Sequence, residues 1–386
     1  MSILISSLSD EIQGEKMDLT HMRLGQVQQK LQKNGIDCLA LIPGSNLRWL
    51  TGMDFHLMER VLIFFIPAEQ EPVVVLPVLE KIKWDNQAAF PARSFAWEDA
   101  KGPQEAVRQA AIALPALTTL AVEDLCMRVM EYRLVQHNLP EVKIVQAEEI
   151  MAPLRLCKEA GEITAMCKAV KICEAALEEV ISGIAPDMTE RQIAGRLSSA
   201  LLLHGGESIP FEPQVLSGPR SALPHGGPTE RRIISGDLLL FDFVTKVDGY
   251  FADLTRTFVV GREPNKRQQQ IYQAVLNANE TGRKSISPGL TCESVDTAVR
   301  SVIESAGFGE NFIHRTGHGL GLEVHEPPYL VAGNKMQLEA GMAVTVEPGV
   351  YIEGWGGVRI EDDVVVSESG GKSLSSFDRG FRVIGI

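Results

Sequence analysis

The sequence predicts two domains of different class, an α/β amino-terminal domain and an α+β carboxy-terminal domain. Three observations predict this. At 386 residues the chain is longer than one ordinary core supports. From about residue 16 to 150, helical and strand patterns alternate along the chain. Beyond that point, helices and antiparallel strands run in groups without strict alternation. The boundary is expected near residues 150–157, with domains 1–155 and 156–386.

In the first domain a helix carrying Val27 and Leu31 should stop at Gly35, where a left-handed cap costs little. The apolar run I-D-C-L-A-L-I-P follows as a strand. Val61–Pro67 and Val73–Pro77 are rich in β-branched residues and flank a polar turn, which predicts a hairpin. Helices are expected near Gln104–Leu114 and Met127–Gln136, around a strand at Thr119–Glu123. In the second domain a long helix is predicted from Lys158 to Ser182, stopped by Gly183 and Pro186. Thr189 and Gln192 have capping-box spacing and should open a helix that ends near Gly205. Two more helices are predicted at about 264–285 and 292–306, with strands before and after them.

The formal net charge of −13, with no lysine- or arginine-rich block, argues against a nucleic-acid partner, which needs clustered positive surface. No apolar run approaches membrane-spanning length. The first residues, M-S-I-L-I-S-S-L-S-D-E, lack the features of a secretory signal. Cys38, Cys126, Cys157, Cys167, Cys173 and Cys292 form no C-x-x-C pair and suggest thiols in a reducing compartment. A cytoplasmic protein is expected.

Three stretches carry the chemistry. In Leu238–Val260, Asp248-Gly249 is a strong two-residue hairpin signal. It pairs Val247 with Tyr250 and sets Asp253 opposite Val244, on the strand face that also bears Asp242. Two aspartates among Leu, Phe and Val would be costly in a core without a compensating charge; a solvated strand face is the alternative. In His314–Pro328, three of the chain's eight histidines gather, and glycines flank His318, which would let the backbone approach a ligand. In Ala343–Val366, Glu347 ends a β-branched run before Pro-Gly, and Glu361 is expected within a strand beginning after W-G-G. Arg359 is a candidate partner for one of these acids, but it cannot answer all of them. Four carboxylates and one imidazole suit a pair of Mn-, Co- or Zn-like ions better than a structural zinc. Two such ions roughly 3.5–4 Å apart can share a hydroxide and polarise a carbonyl.

The segments D-G-Y-F-A-D-L-T-R-T, G-H-G-L-G-L-E-V-H-E-P, E-P-G-V-Y and V-R-I-E-D, in this order, resemble the pita-bread metallopeptidases: methionine aminopeptidase, prolidase, aminopeptidase P and creatinase. The resemblance covers the second half, and more loosely the first, which is similar to the creatinase/prolidase amino-terminal domain. It implies a pita-bread catalytic fold and five metal ligands, Asp242, Asp253, His318, Glu347 and Glu361. By the same resemblance Asp253 and Glu361 bridge two divalent ions, with manganese favoured and cobalt or zinc as alternatives. Asp242 completes one site, and His318 with Glu347 the other. It further implies that His225 and His325 contact the substrate amide and stabilise the tetrahedral intermediate. His314 would line the pocket beyond the scissile bond. Arg359 would lie near the peptide carboxylate or in the ligand shell. Glu347 would shuttle a proton.

The implied reaction is hydrolysis of the bond preceding proline in short peptides, by a homodimer. A broader aminopeptidase or small-amide hydrolase on the same fold, and a catalytically inactive binding scaffold, are the competing readings. Creatinase has lost ligand residues, whereas all five are present here. One departure stands out: many relatives carry glycine two positions after the first metal aspartate, and here Phe243 and Val244 follow it, which puts pocket shape in question.

Overall fold

The computed structural model describes residues 2–185 and 187–385, so Pro186, part of the expected helix stop, lies outside them. The chain divides into two compact units, Met1–Arg155 and Leu156–Ile386.

The first unit contains the helices α1 (Ser2–Lys33), α2 (Ser45–Thr51), α3 (Val78–Gln87), α4 (Gln104–Ala113), α5 (Val129–Asn138) and α6 (Glu148–Arg155). Its strands are β1 (Cys38–Leu41), β2 (Ile63–Pro67), β3 (Val73–Pro77), β4 (Arg93–Trp97), β5 (Thr119–Val122) and β6 (Lys143–Gln146). They form one mixed sheet in the order β4-β3-β2-β1-β5-β6. Gly35, at φ 65°, closes α1, with the Ile36 N–H returning to the Leu31 carbonyl at 3.0 Å. The expected hairpin is present, with Ile63 opposite Val75. The central strands are wholly buried, so they read as continuous apolar runs in the sequence.

The second unit opens on α7 (Ala160–Ser182) and α8 (Glu190–Leu203). The first of these starts two residues later than the sequence predicts. Glu159 and Glu162 form a capping box there, and Lys158 turns inward to a buried ion pair with Glu326. Thr189 and Gln192 cap α8 as expected. The strands β7 (Gln214–Ser217), β8 (Leu238–Val247) and β9 (Tyr250–Val260) come next, followed by α9 (Lys266–Ser285) and α10 (Cys292–Ser305). Then come β10 (Gly317–Gly319), β11 (Glu326–Leu330), β12 (Ala343–Val346), β13 (Gly349–Ile352), β14 (Gly356–Arg359), β15 (Asp362–Ser367), β16 (Gly370–Ser373) and β17 (Val383–Ile384). They assemble into a sheet β17-β9-β8-β7, a sheet β11-β10-β12-β15-β16, and the pair β13-β14. Among the described residues no helix is long and apolar enough to cross a membrane.

Candidate metal centre

The β8–β9 hairpin places the first two acids. Asp248 and Gly249 both take positive φ, 52° and 85°, as a tight two-residue turn requires. Val247 pairs with Tyr250 and Val244 with Asp253, as the spacing predicts. Strand alternation sends Leu239, Phe241 and Phe243 into the core formed with α7 and α8, and turns Asp242 the other way. Val244, where many relatives carry glycine, is buried in a separate cluster with Met166, Phe251 and Leu320.

His318 sits on β10 between two glycines, whose purpose differs from the expected one. A Cβ on Gly317 would lie 1.9 Å from the Thr345 carbonyl oxygen, and one on Gly319 2.2 Å from that of Pro327. The glycines therefore let neighbouring strands close on the histidine; they do not admit a ligand. The His318 N–H donates to Thr345 Oγ1 at 3.0 Å, and Nδ1 donates to the Gly319 carbonyl at 3.0 Å. Nε2 is left facing Glu347 Oε1 at 3.2 Å. Glu347 follows β12 directly, its N–H held by the Thr316 carbonyl at 2.8 Å. Glu361 departs from expectation: it lies between β14 and β15, where the chain passes from one sheet to another. Its N–H bonds the Thr255 carbonyl at 3.1 Å, and its carboxylate accepts from Thr255 Oγ1 at 2.6 Å.

The five residues converge. Asp242, Asp253 and Glu361 each offer an oxygen within 4.8 Å of the others'. His318, Glu347 and Glu361 form a second such group, and Asp253, His318 and His325 a third. Burial and mutual repulsion push the Asp253 and Glu361 carboxyls well above their ordinary range, and Asp242 upward as well. Burial works against ionising Glu347 too, but His318, together with His314 and Arg359, outweighs it and holds that carboxyl down at about 2. Among the described residues Asp253 Oδ1 is buried with no hydrogen-bond partner. Clustered acids with a buried unanswered oxygen and an imidazole nitrogen are a donor set that divalent cations satisfy and hydrogen bonds do not.

Several supporting residues escaped the sequence reading. Gln214 on β7 donates to Asp242 at 2.7 Å, and its own carbonyl takes the Gly226 N–H at 2.9 Å, fixing the loop that carries His225. The buried Arg359 pairs with Asp242, donates to Tyr351 Oη at 2.8 Å and reaches Thr255 Oγ1 at 3.2 Å. Its guanidinium thus lies against Asp242, one of the candidate ligands, and borders the cavity. His314 has Nδ1 on the Arg315 carbonyl at 2.7 Å and Nε2 on Tyr351 Oη at 2.9 Å. Both ring nitrogens are thus committed, and His314 borders the cavity without a free polar atom. Tyr351 and Thr255 lie within the E-P-G-V-Y and D-G-Y-F-A-D-L-T-R-T segments, but pairing across many residues is what shows their roles; Gln214 lies in none of the four segments.

A cavity of about 690 Å³ opens over these groups, within the range of small-molecule sites. Its wall includes His225 and His325, both exposed. The His325 ring stands edge-on to His318, with centroids 4.1 Å apart. Burial, with the neighbouring His318 and Arg315, pushes it down to about 4.

The profile of "Metallopeptidase family M24" matches residues 164–368, and that of "Creatinase/Prolidase N-terminal domain" matches residues 23–157. The chain is 36% identical to the "Probable dipeptidase PepE" of Mycobacterium tuberculosis, over 89% of this chain and 90% of that protein. It is 32% identical to an Xaa-Pro dipeptidase of Pyrococcus horikoshii, over 94% and 99% of the two chains. The solved structure of a recombinant prolidase from Thermococcus sibiricus superposes with a TM-score of 0.89 at 33% identity, covering 94% of this chain and 98% of that one. Fold, site and relatives agree, and the chain belongs to metallopeptidase family M24: it is a peptidase that depends on divalent metal ions, built on the pita-bread fold with a creatinase/prolidase amino-terminal domain.

Proposed function

We propose that the protein is an Xaa-Pro dipeptidase that works with two divalent ions, manganese in the native enzyme, held by Asp242, Asp253, His318, Glu347 and Glu361. The observation that carries this reading is the sharing of donors. Asp253 and Glu361 each belong to the group containing Asp242 and also to a group containing His318, as bridging ligands must. The Pyrococcus horikoshii Xaa-Pro dipeptidase and the Thermococcus sibiricus prolidase support the substrate class. An Xaa-Pro bond lacks the N–H that ordinary peptidases engage, so it calls for a dedicated enzyme.

When bound, the ions acidify a water to near-neutral pKa and polarise the scissile carbonyl. The side chains do the rest. Glu347 takes the water proton and passes it to the leaving nitrogen. His325 donates a ring N–H to the developing oxyanion, and His225, which also lines the cavity, contacts the substrate amide. Arg359 pairs with Asp242 and orients it, and the Tyr351 hydroxyl links that guanidinium to His314. The six cysteines, all free, support a reducing cytoplasmic setting, and we place the enzyme there as a homodimer.

The test is a panel of Xaa-Pro dipeptides, Met-Xaa peptides and non-peptide amides, assayed after reconstitution with Mn or Co. Xaa-Pro turnover is expected, with a loss of roughly a thousandfold or more in Asp253→Ala. Absence of turnover on every Xaa-Pro peptide would sink the reading.

A further inference from the structure

The loop that carries His225 leaves β7 at Ser217 and returns past Thr229, and one side chain meets both of its ends. Glu190, the first residue of α8, is fully buried, and five donors converge on its carboxylate. The Ser217 N–H and hydroxyl reach Oε1, each at 2.8 Å. The Thr229 N–H and hydroxyl reach Oε2 at 3.0 and 2.8 Å, and Arg220 Nε reaches the same oxygen at 3.0 Å. The two backbone N–H groups and the guanidinium can only donate, and they fall on both oxygens. A neutral amide in this place would turn its own N–H groups on one set of them. The start of α8 adds two backbone bonds, from the Glu190 N–H to the Arg231 carbonyl and from the Arg191 N–H to that of Thr229, both at 3.0 Å.

The grip extends to the peptide groups that follow His225. Arg220, held by Glu190, donates from Nη2 to the Gly227 carbonyl at 2.6 Å. The Gly226 N–H is held by Gln214 Oε1 at 2.9 Å, and the other end of that amide donates to Asp242 at 2.7 Å. His225 itself is exposed in the cavity wall. An exposed ring has little packing to place it, so its backbone has to do so.

We propose that Glu190 is a positioning residue for the reaction: it closes the 217–229 loop at both ends and, through Arg220, sets His225 where the substrate amide is met. The assignment rests on the role given to His225 above and deepens it. A group displaced by about 1 Å can lose on the order of 100-fold in rate, so a carboxylate remote from the chemistry can govern it.

The experiment is a double-mutant cycle on manganese-loaded enzyme with an Xaa-Pro dipeptide, comparing wild type, Glu190→Gln, His225→Ala and the double variant. Glu190→Gln should lose about 10–100-fold in kcat/KM when His225 is present, and less than about threefold when it is already alanine. Arg220→Lys keeps a cation beside Glu190 but gives up the fork that reaches Gly227. It should lose about 3–10-fold, again only while His225 is present, and it carries the test if Glu190→Gln does not fold. In metal-free Glu190→Gln, hydrogen exchange of the 217–229 amides should rise about tenfold or more, with α9 and α10 as in wild type. Losses that multiply independently in the double variant, full activity in both single variants at Glu190 and Arg220, or exchange raised equally in α9 and α10 overturn the assignment and leave the peptidase reading intact. A His225→Ala enzyme as active as wild type overturns the role of His225 and this assignment with it. A wild type that cleaves no Xaa-Pro dipeptide overturns the substrate reading and the assignment together.

Discussion

In the amino-terminal unit the buried carboxylate of Glu123 takes the Ile42 N–H at 2.8 Å and the Asn46 amide at 2.9 Å, and buried Glu131 is clamped by Arg128. In the cavity of the second unit Asp253 and Glu361 are buried as deeply, but each faces other carboxylates, and Asp253 Oδ1 has no partner among the described residues. The contrast is sharpest between chain neighbours. Asp362 follows Glu361, and burial opposes its ionisation as well, yet Arg256 and Arg379 outweigh that and hold it below its usual range. Arg256 reaches it at 2.8 Å and Arg379 at 2.7 Å. Acids answered by the protein's own donors hold the fold together. Acids left facing one another store a demand for cations.

The largest expected effect breaks this contrast at its centre. Asp253→Asn should cost roughly a thousandfold or more in activity, while the melting temperature of the metal-free protein holds or rises, because a repulsive charge is gone. A fall as deep as that of an arginine-paired acid would place Asp253 with the structural set. Asp362→Asn should do the reverse. It strands the buried guanidinium of Arg256 and should cost about 3–5 kcal/mol in denaturant unfolding, with metal content unchanged in the folded fraction. Tyr351→Phe removes the hydroxyl shared by Arg359 and His314, and should lower kcat about 10–100-fold while the protein still binds metal by equilibrium dialysis. Smallest is Glu123→Gln in the other unit, where the Ile42 N–H and the Asn46 amide lose an ionised acceptor. About 1–2 kcal/mol of stability should go, with kcat/KM untouched.

Much of this was legible because the strongest patterns are local. The Asp248-Gly249 turn sets the hairpin register over its whole length, so Asp242 and Asp253 fall on one side without further information. Buried β1, β2 and β3 announce themselves as apolar runs. The edge strands β4 and β6 are half-exposed and of mixed polarity, and they blur into their surroundings. The helices α2 and α6 are seven and eight residues long, too short for periodicity to register. Glu361 was misplaced within a strand because V-R-I before it and D-V-V-V after it read as one continuous run, and only the change of sheet breaks it. Gln214 carries no local signal, and the segments that contain Tyr351 and Thr255 do not say what those two side chains do. The importance of all three lies in hydrogen bonds to Arg359, Glu361 and Asp242, which tertiary packing alone creates.

The central claim is that five side chains jointly hold two cations, and anomalous diffraction from manganese-loaded crystals tests it most directly. The account predicts two peaks roughly 3.5–4 Å apart, both touched by Asp253 and Glu361, with Asp242 on one and His318 with Glu347 on the other. A single peak, or manganese bound away from Asp253 and Glu361, would contradict it.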